Sequence, residues 1–481
     1  MTANLTGGPL KRATLLLAAS IFLACADTAS PAPEADIEAL SNDAVRLLQE
    51  YVRVDTINPP GNETRGVAFL AKILDAAGIE YETAESAPGR GNIWARLEGG
   101  DEPAILLLHH IDVVPADEKH WTADPLGAEI RDGYIYGRGT LDTKTSGILH
   151  LQAFLALHGG GRPLNRDVIF MATADEEAGG HFGAGWLAKN RPELFEGVGV
   201  ILNEGGGGVI LGTAEAGTAA AGAISFEVEV TQKVPWWFRL VATDEPGHGS
   251  MPRVTNAVTR IVHALARIDD HEFEPRIVPA VDTYFKAIAP MVDDEWREPF
   301  ANIAEAVRRP GFLLRLQLDN PFLHALTRNA CSITMLEGSS KINVVPPSAS
   351  AQIDCRLVPD QDPKAFIDLL RTIVNDPLIE IETIMGFTPA VSTTDTDVFR
   401  AIESVTRTHF PGSQVIPAVL TGFTDSHFFR DMGITAYGFE ATVTPSAEQG
   451  RVHGNDERIS VENVKRGVRM TYEILESVVY D

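Results

Sequence analysis

Cysteine is scarce in this chain: three among 481 residues, too few for a disulfide scaffold to carry the fold. Cys25 sits in the N-terminal segment, so only Cys331 and Cys355 are certain to remain in the folded part, where they could pair in an oxidising compartment. Positive charge is also short. Forty Lys and Arg face 66 Asp and Glu, a formal net charge of −26. Such a surface repels phosphate backbones and excludes nucleic acid as a partner. Repeats and low-complexity blocks are missing after the N-terminal segment. What is present, 44% hydrophobic and 22% charged residues, is the composition of a soluble globular protein, long enough for two or more domains.

The first residues have the order of an export signal. Lys11 and Arg12 precede an apolar run from Ala13 to Ala24, broken only by Thr14 and Ser20. That run falls short of the roughly 20 residues of a spanning helix. Residues 1–26 are therefore expected to be a signal peptide and 27–36 a Pro/Ala/Asp linker. Two cleavage patterns compete. Phe22-Leu23-Ala24-Cys25 is an imperfect lipobox that would make Cys25 a lipid-modified membrane anchor, and Ala24-Cys25-Ala26 fits ordinary signal peptidase. The lipobox is preferred, which places the protein in the periplasm as a membrane-anchored lipoprotein, or otherwise as a secreted protein.

From Ile37 the pattern alternates helices with buried strands. The spacing of Val67, Leu70, Ile73, Leu74 and Ala77 predicts a helix over 64–77 that stops at Gly78. Continuous apolar runs over 104–114, 168–174 and 198–202 predict strands buried on both faces. Together they imply an α/β fold with a mixed sheet covered on both sides. Near Val234 the texture changes. A strand at 237–243, a helix at 256–268 capped by Asn256, a long irregular Pro-bearing stretch and strands at 333–337 and 350–357 predict an inserted α+β unit over 234–357. The α/β pattern, first read over 37–233, resumes over 358–481 with a helix at 363–375 capped by Asp362 and a final helix at 461–479 behind Ser460.

Five segments carry candidate ligands: His109-His110-Ile111-Asp112, Gly137-Arg138-Gly139-Thr140-Leu141-Asp142-Thr143-Lys144, Asp175-Glu176-Glu177, Asn203-Glu204-Gly205-Gly206 and Val452-His453-Gly454-Asn455-Asp456-Glu457-Arg458. Each alone has a plain alternative, such as a surface ion pair, a solvated charge run or a turn. Three of them end apolar strands, where solvated charge is not expected, and ligand sites in such sheets lie at the strands' carboxyl ends. Converging carboxylates repel unless protons or cations neutralise them. Two divalent ions would do so, and nitrogen with carboxylate ligands suits zinc, with cobalt or manganese as substitutes. A bridging carboxylate would hold such ions about 3.5–4 Å apart and generate hydroxide near neutral pH.

In these motifs the chain resembles the co-catalytic zinc metallopeptidases that include aminoacylase, glutamate carboxypeptidase and succinyl-diaminopimelate desuccinylase. The resemblance runs from Val54-Asp55-Thr56-Ile57-Asn58-Pro59-Pro60-Gly61 to Ile459. Leu323-His324-Ala325-Leu326-Thr327-Arg328 and Lys341-Ile342-Asn343-Val344-Val345-Pro346-Pro347 point to the branch of carboxypeptidase S and secreted N-fatty-acyl-amino-acid hydrolases. It implies a zinc-peptidase catalytic domain with an inserted lid and dimerisation domain, hence a homodimer. It also implies one ion on His110, Asp142 and Glu204 and another on Asp142, Glu177 and His453, with Asp142 bridging. Asp112 would orient the His110 ring, Glu176 would be the general base, and His109 would pack against the sheet. His248, in Gly247-His248-Gly249-Ser250-Met251-Pro252, would stabilise the oxyanion, often across the dimer. Asn343 and Arg356 would hold the substrate carboxylate, with a salt bridge from Arg356 to Asp354 as the lesser role, and Thr424 would line the substrate site.

Three positions depart from the pattern: His427 replaces an arginine, Ala441 a proline, and Thr143 the commoner residue after Asp142. The expected activity is amide hydrolysis of N-acyl amino acids or C-terminal peptide bonds by a di-zinc-bound hydroxide. The alternatives are a non-catalytic binding protein on the same fold, disfavoured by the presence of Glu176 and all ligands, and a desuccinylase-type deacylase, disfavoured by the export signal.

Overall fold

The computed structural model describes residues 36–210, 224–445, 448 and 450–480. Cys25, the signal and all but the last residue of the linker lie outside the described residues. A ten-stranded mixed sheet forms the larger body. At its centre Glu102–His110 runs parallel to Arg166–Thr173 on one side and to Val198–Asn203 on the other. The apolar run of the central strand is explained by what it meets. Ile105 and Leu107 point into a core with the helices Ile37–Val52, Lys144–Gly160 and Val461–Val479, and Leu106 and Leu108 point into a second core on the opposite face. Both faces are buried, so period-two alternation disappears. The strand ends at His110, short of the expected 114.

A separate antiparallel sheet has the order Ala330–Glu337, Ser348–Leu357, Val234–Thr243, Ile379–Gly386. The helices Ala257–Asp269 and Pro363–Val374 share its core. The second of these helices and the strand 379–386 thus extend this unit past 357, where the sequence pattern ended it. An amphipathic helix reads the same whichever sheet it covers, so its sequence could not assign it. Cys331 and Cys355 are directly opposed on neighbouring strands and form a disulfide.

The irregular stretch expected after Asp269 contains five short helices, Pro279–Ile288, Asp294–Ala301, Ile303–Ala306, Phe312–Asp319 and Pro321–Leu326. They pack against Ile416, Ala418 and Val419, on a strand of the larger sheet. Chain that lies between two strands of the small sheet therefore forms a wall over the large one.

Phe366 is buried against the rings of Phe238 and Phe273. Phe366→Ala should cost about 3–5 kcal/mol. Hydrogen exchange should quicken in 234–243 and 348–357 and not in 102–110; equal loosening of both sheets would contradict this assignment of the helix.

Candidate metal centre

Parallel strands place their carboxyl ends together, which is why three distant segments meet. His110 is the last residue of its strand, Asp175-Glu176-Glu177 follows Arg166–Thr173, and Glu204 follows Val198–Asn203. Asp142 ends the turn before the helix Lys144–Gly160. The C-terminal segment arrives because Arg458–Ser460 pairs with Tyr134–Tyr136. Glu457 then secures it: Oε1 accepts hydrogen bonds from the backbone N–H of Gly139 (3.1 Å), Leu141 (2.7 Å) and Asp142 (3.2 Å), and Arg138 pairs with its other oxygen.

Asp142 lies between two histidines. Its Oδ1 is 3.0 Å from His110 Nε2 and its Oδ2 is 2.9 Å from His453 Nε2. Glu204 Oε2 is 3.1 Å from His110 Nε2, and Glu177 Oε2 is 3.1 Å from His453 Nε2. Glu176 Oε2 stands 3.9 Å from His110 Nε2. The result is two groups of one imidazole and two carboxylates with Asp142 in common. Glu177 Oε1 and Glu204 Oε1 are buried without a hydrogen-bond partner, as oxygens reserved for a cation would be. This donor set fits divalent ions that accept nitrogen and oxygen ligands.

Residues 106–477 match the sequence profile of peptidase family M20/M25/M40. The chain belongs to this family. Among curated relatives, an N-fatty-acyl-amino acid synthase/hydrolase, PM20D1 of Xenopus tropicalis, is 29% identical over 90% of this chain and 85% of its own length. Aminoacylase-1A of Rattus norvegicus is 30% identical over 88% of this chain and 92% of its own. The M20 metallo-carboxypeptidase Sso-CP2 from Sulfolobus solfataricus shares the fold, with a TM-score of 0.70 at 20% identity, covering 91% of this chain and 99% of that one. This M20 chain is therefore a metal-dependent hydrolase of the aminoacylase and peptidase kind, built on the mixed α/β fold that the resemblance implied.

Electrostatics of the M20 site follow from burial and crowding. Burial, then the charge of Glu204, holds the Glu176 carboxyl well above its ordinary range. Burial pushes Glu204 up to about 7, and burial with the charge of Asp142 raises Glu177. Burial also opposes ionisation of Asp142, but hydrogen bonds from His110 and His453 outweigh it and leave its pKa lowered. Hydrogen bonds to Asp142 and Glu177 raise His453 to about 10.

Asp112 lies against the His110 ring, where the family pattern would put it. Its backbone carbonyl accepts from His110 Nδ1 at 2.9 Å, whereas Oδ1 lies 3.6 Å away. The carboxylate also takes Asn58 Nδ2 (2.8 Å) and the backbone N–H of Glu176 (3.1 Å) and Glu177 (3.2 Å), fixing the turn that carries them. His109 is buried outside the cluster, 3.2 Å from the Tyr51 hydroxyl and against the Phe170 ring.

Arg356 and Thr424 line the same cavity of about 780 Å³ as Asp142, Glu176, Glu177, Glu204 and His453. The salt bridge to Asp354 does form, through Arg356 Nε (2.8 Å) and Nη2 (3.0 Å); Nη1 is buried without a partner. His248 and Asn343 lie together on the exposed ribbon formed by Gly247–His248 and Val344–Val345, and neither lines that cavity. His427 stacks on Phe387 at 3.5 Å, and burial lowers it to about 3, so it is neutral and cannot supply an arginine's charge.

Glu440 and Glu457 were not singled out in sequence, although Glu457 stands in a segment that was. Glu440 lines the cavity, receives hydrogen bonds from Thr143 and Ser146, and is pushed by burial up to about 8. A single glutamate between Phe439 and Ala441 carries no spacing signal.

Without metal, the raised pKa values of Glu204, Glu440 and His453 mean that the folded state holds protons more tightly than the unfolded chain. The stability these three groups contribute to metal-free protein should thus be lost as pH rises, from about 4.5 to 8 for the two glutamates and from about 6.5 to 10 for His453. Cation binding must displace the His453 proton, so metal affinity should rise with pH, by about tenfold per unit for each proton released. Calorimetric titration in two buffers of different ionisation enthalpy checks this; uptake without proton release would contradict it.

Proposed function

We propose that this hydrolase uses two zinc ions to cleave the amide bond of N-acyl amino acids, or the C-terminal bond of peptides, beside a free carboxylate. One observation carries the proposal: a single cavity is lined by Asp142, Glu176, Glu177, Glu204 and His453 of the cluster, by Arg356, and by apolar walls from Trp237, Ile288, Val292, Phe322, Val419 and Phe423. His110, Asp142 and Glu204 would hold one ion and Asp142, Glu177 and His453 the other. When bound, such ions polarise a carbonyl oxygen and lower the pKa of water.

The chain's own groups divide the remaining tasks. Arg356 anchors the substrate carboxylate by a charge-assisted hydrogen bond. The apolar walls take the acyl group, which favours N-acyl amino acids over polar peptides. Glu176, raised in pKa by burial, accepts a proton from the attacking water and returns it to the leaving amine. His248 lies outside its own chain's cavity, which supports a role in the site of a second copy. The exposed outer strand Ala330–Glu337, with Ile333, Met335 and Leu336 uncovered, is the surface on which a homodimer would form. The Cys331–Cys355 disulfide supports an oxidising compartment and thus export, with Cys25 as the lipid anchor.

Glu176→Gln should keep both metals and lose turnover by about 10²–10⁴-fold; wild-type turnover would end the proposed mechanism. Arg356→Ala should raise KM for carboxylate substrates about ten- to a hundredfold, the worth of one charge-assisted hydrogen bond. An equal loss on amidated analogues would assign Arg356 a structural role. A hydrolysis screen of zinc-loaded protein across N-acyl amino acids and dipeptides, with an EDTA control, tests the substrate class directly.

A further inference from the structure

The segment Val54–Gly61 is part of the family resemblance, yet none of its side chains enters the cavity. What it surrounds is Arg90, a buried guanidinium at the first position before the strand Gly91–Leu97. Arg90 Nη1 donates to the Pro60 carbonyl (3.0 Å) and to Asn58 Oδ1 (3.3 Å). Nη2 pairs with Asp175 Oδ1 and with Glu63 Oε1, the latter at 3.1 Å. The backbone at Gly61 passes so close that a Cβ there would overlap Nη1, and its φ of +78° also favours glycine. Pro60, Gly61 and Glu63 therefore form a cage of one shape around one cation.

The contents of the cage lead straight to the site. Asn58 uses its amide oxygen for Arg90 and its Nδ2 for Asp112 (2.8 Å), with Asp175 Oδ1 3.4 Å away. Asp112 receives the N–H groups of Glu176 and Glu177. Asp175 is the residue before them, has φ +73°, and accepts the N–H of Phe182 (3.0 Å) at its other oxygen. Arg90 thus holds both sides of the Glu176–Glu177 turn, Asp175 directly and Asp112 through Asn58. Two buried carboxylates, Glu63 and Asp175, pair with this single guanidinium and a third, Asp112, is joined to it through Asn58; without it they would repel one another and spread the turn.

We infer that Arg90 is a positioning residue for the general base and for the metal site of Glu177 and His453, and that Asn58, Pro60, Gly61 and Glu63 serve to hold it. Lysine cannot replace it, because a point charge cannot fork to Asp175, Glu63, Asn58 and Pro60 together. The inference rests on the two-metal reading of the site, and its test reads metal directly.

Wild type, Arg90→Lys, Asn58→Ser and, as a control, Arg166→Lys are loaded with cobalt and titrated by visible absorption and elemental analysis, with melting followed by circular dichroism. Arg166 pairs with Asp397 and touches no part of this network. Arg90→Lys should fold and bind one ion as tightly as wild type, with the second at least tenfold weaker. Its kcat should fall at least tenfold with KM within threefold, and Arg166→Lys should behave as wild type. Asn58→Ser removes the link by which Arg90 and Asp175 reach Asp112, leaves the Arg90–Asp175 pair in place, and should show the same selective loss; it decides the matter if Arg90→Lys does not fold. Two ions bound at wild-type affinity in a folded Arg90→Lys, or in Asn58→Ser if the former is insoluble, would overturn the inference alone. A wild type that binds no ion would overturn the two-metal reading and the inference with it.

Discussion

The Asp142 carboxylate, with one oxygen facing His110 and the other facing His453, is the contact on which the rest of the site depends. The two histidines stand 343 residues apart (453 − 110), and among the described residues this carboxylate alone pairs with both. Glu176, Glu177 and Glu204 crowd the same place, so negative charge exceeds what two imidazoles can balance. A low-dielectric site tolerates such an excess by taking up protons or cations. The raised pKa values describe the first solution, and a metal-dependent hydrolase uses the second.

Most of the surrounding structure keeps that carboxylate and its neighbours from moving apart. Glu457 ties the Asp142 turn to the His453 segment by three backbone hydrogen bonds from one oxygen. On the opposite side Asp112 and Asp175 secure the Glu176–Glu177 turn, with Arg90 between them. Each clamp satisfies buried backbone N–H groups with a carboxylate and has an arginine close by, on Glu457 directly in the first and linked to Asp112 through Asn58 in the second.

Legibility in the sequence followed the range of the interaction. Helix caps at Asn256, Asp362 and Ser460 were readable because a cap is decided within about four residues. The three strands leading to the cluster were readable because an apolar run ending in acidic residues is a local pattern. The allegiance of Pro363–Val374 to the smaller sheet was not, since its apolar stripe states that it is covered and not by what. The helices between 279 and 326 were obscured by their shortness and by Pro299 inside one of them. Arg90 and Glu440 left no trace because a lone charged residue becomes informative only through its burial.

By itself the sequence determined which groups could do chemistry and that strand ends would present most of them, because residue type and hydrophobic period are properties of neighbouring residues. It also determined a net acidic chain, with 66 Asp and Glu against 40 Lys and Arg. The tertiary structure alone decided that the Asp112 carboxylate also supports the Glu176–Glu177 turn, that Arg356 shares a cavity with the cluster, and that His248 does not enter it. It also made a wall of that cavity from chain inserted in another sheet. These outcomes depend on which surfaces bury each other across hundreds of residues, and burial of that kind is a property of the whole packed chain.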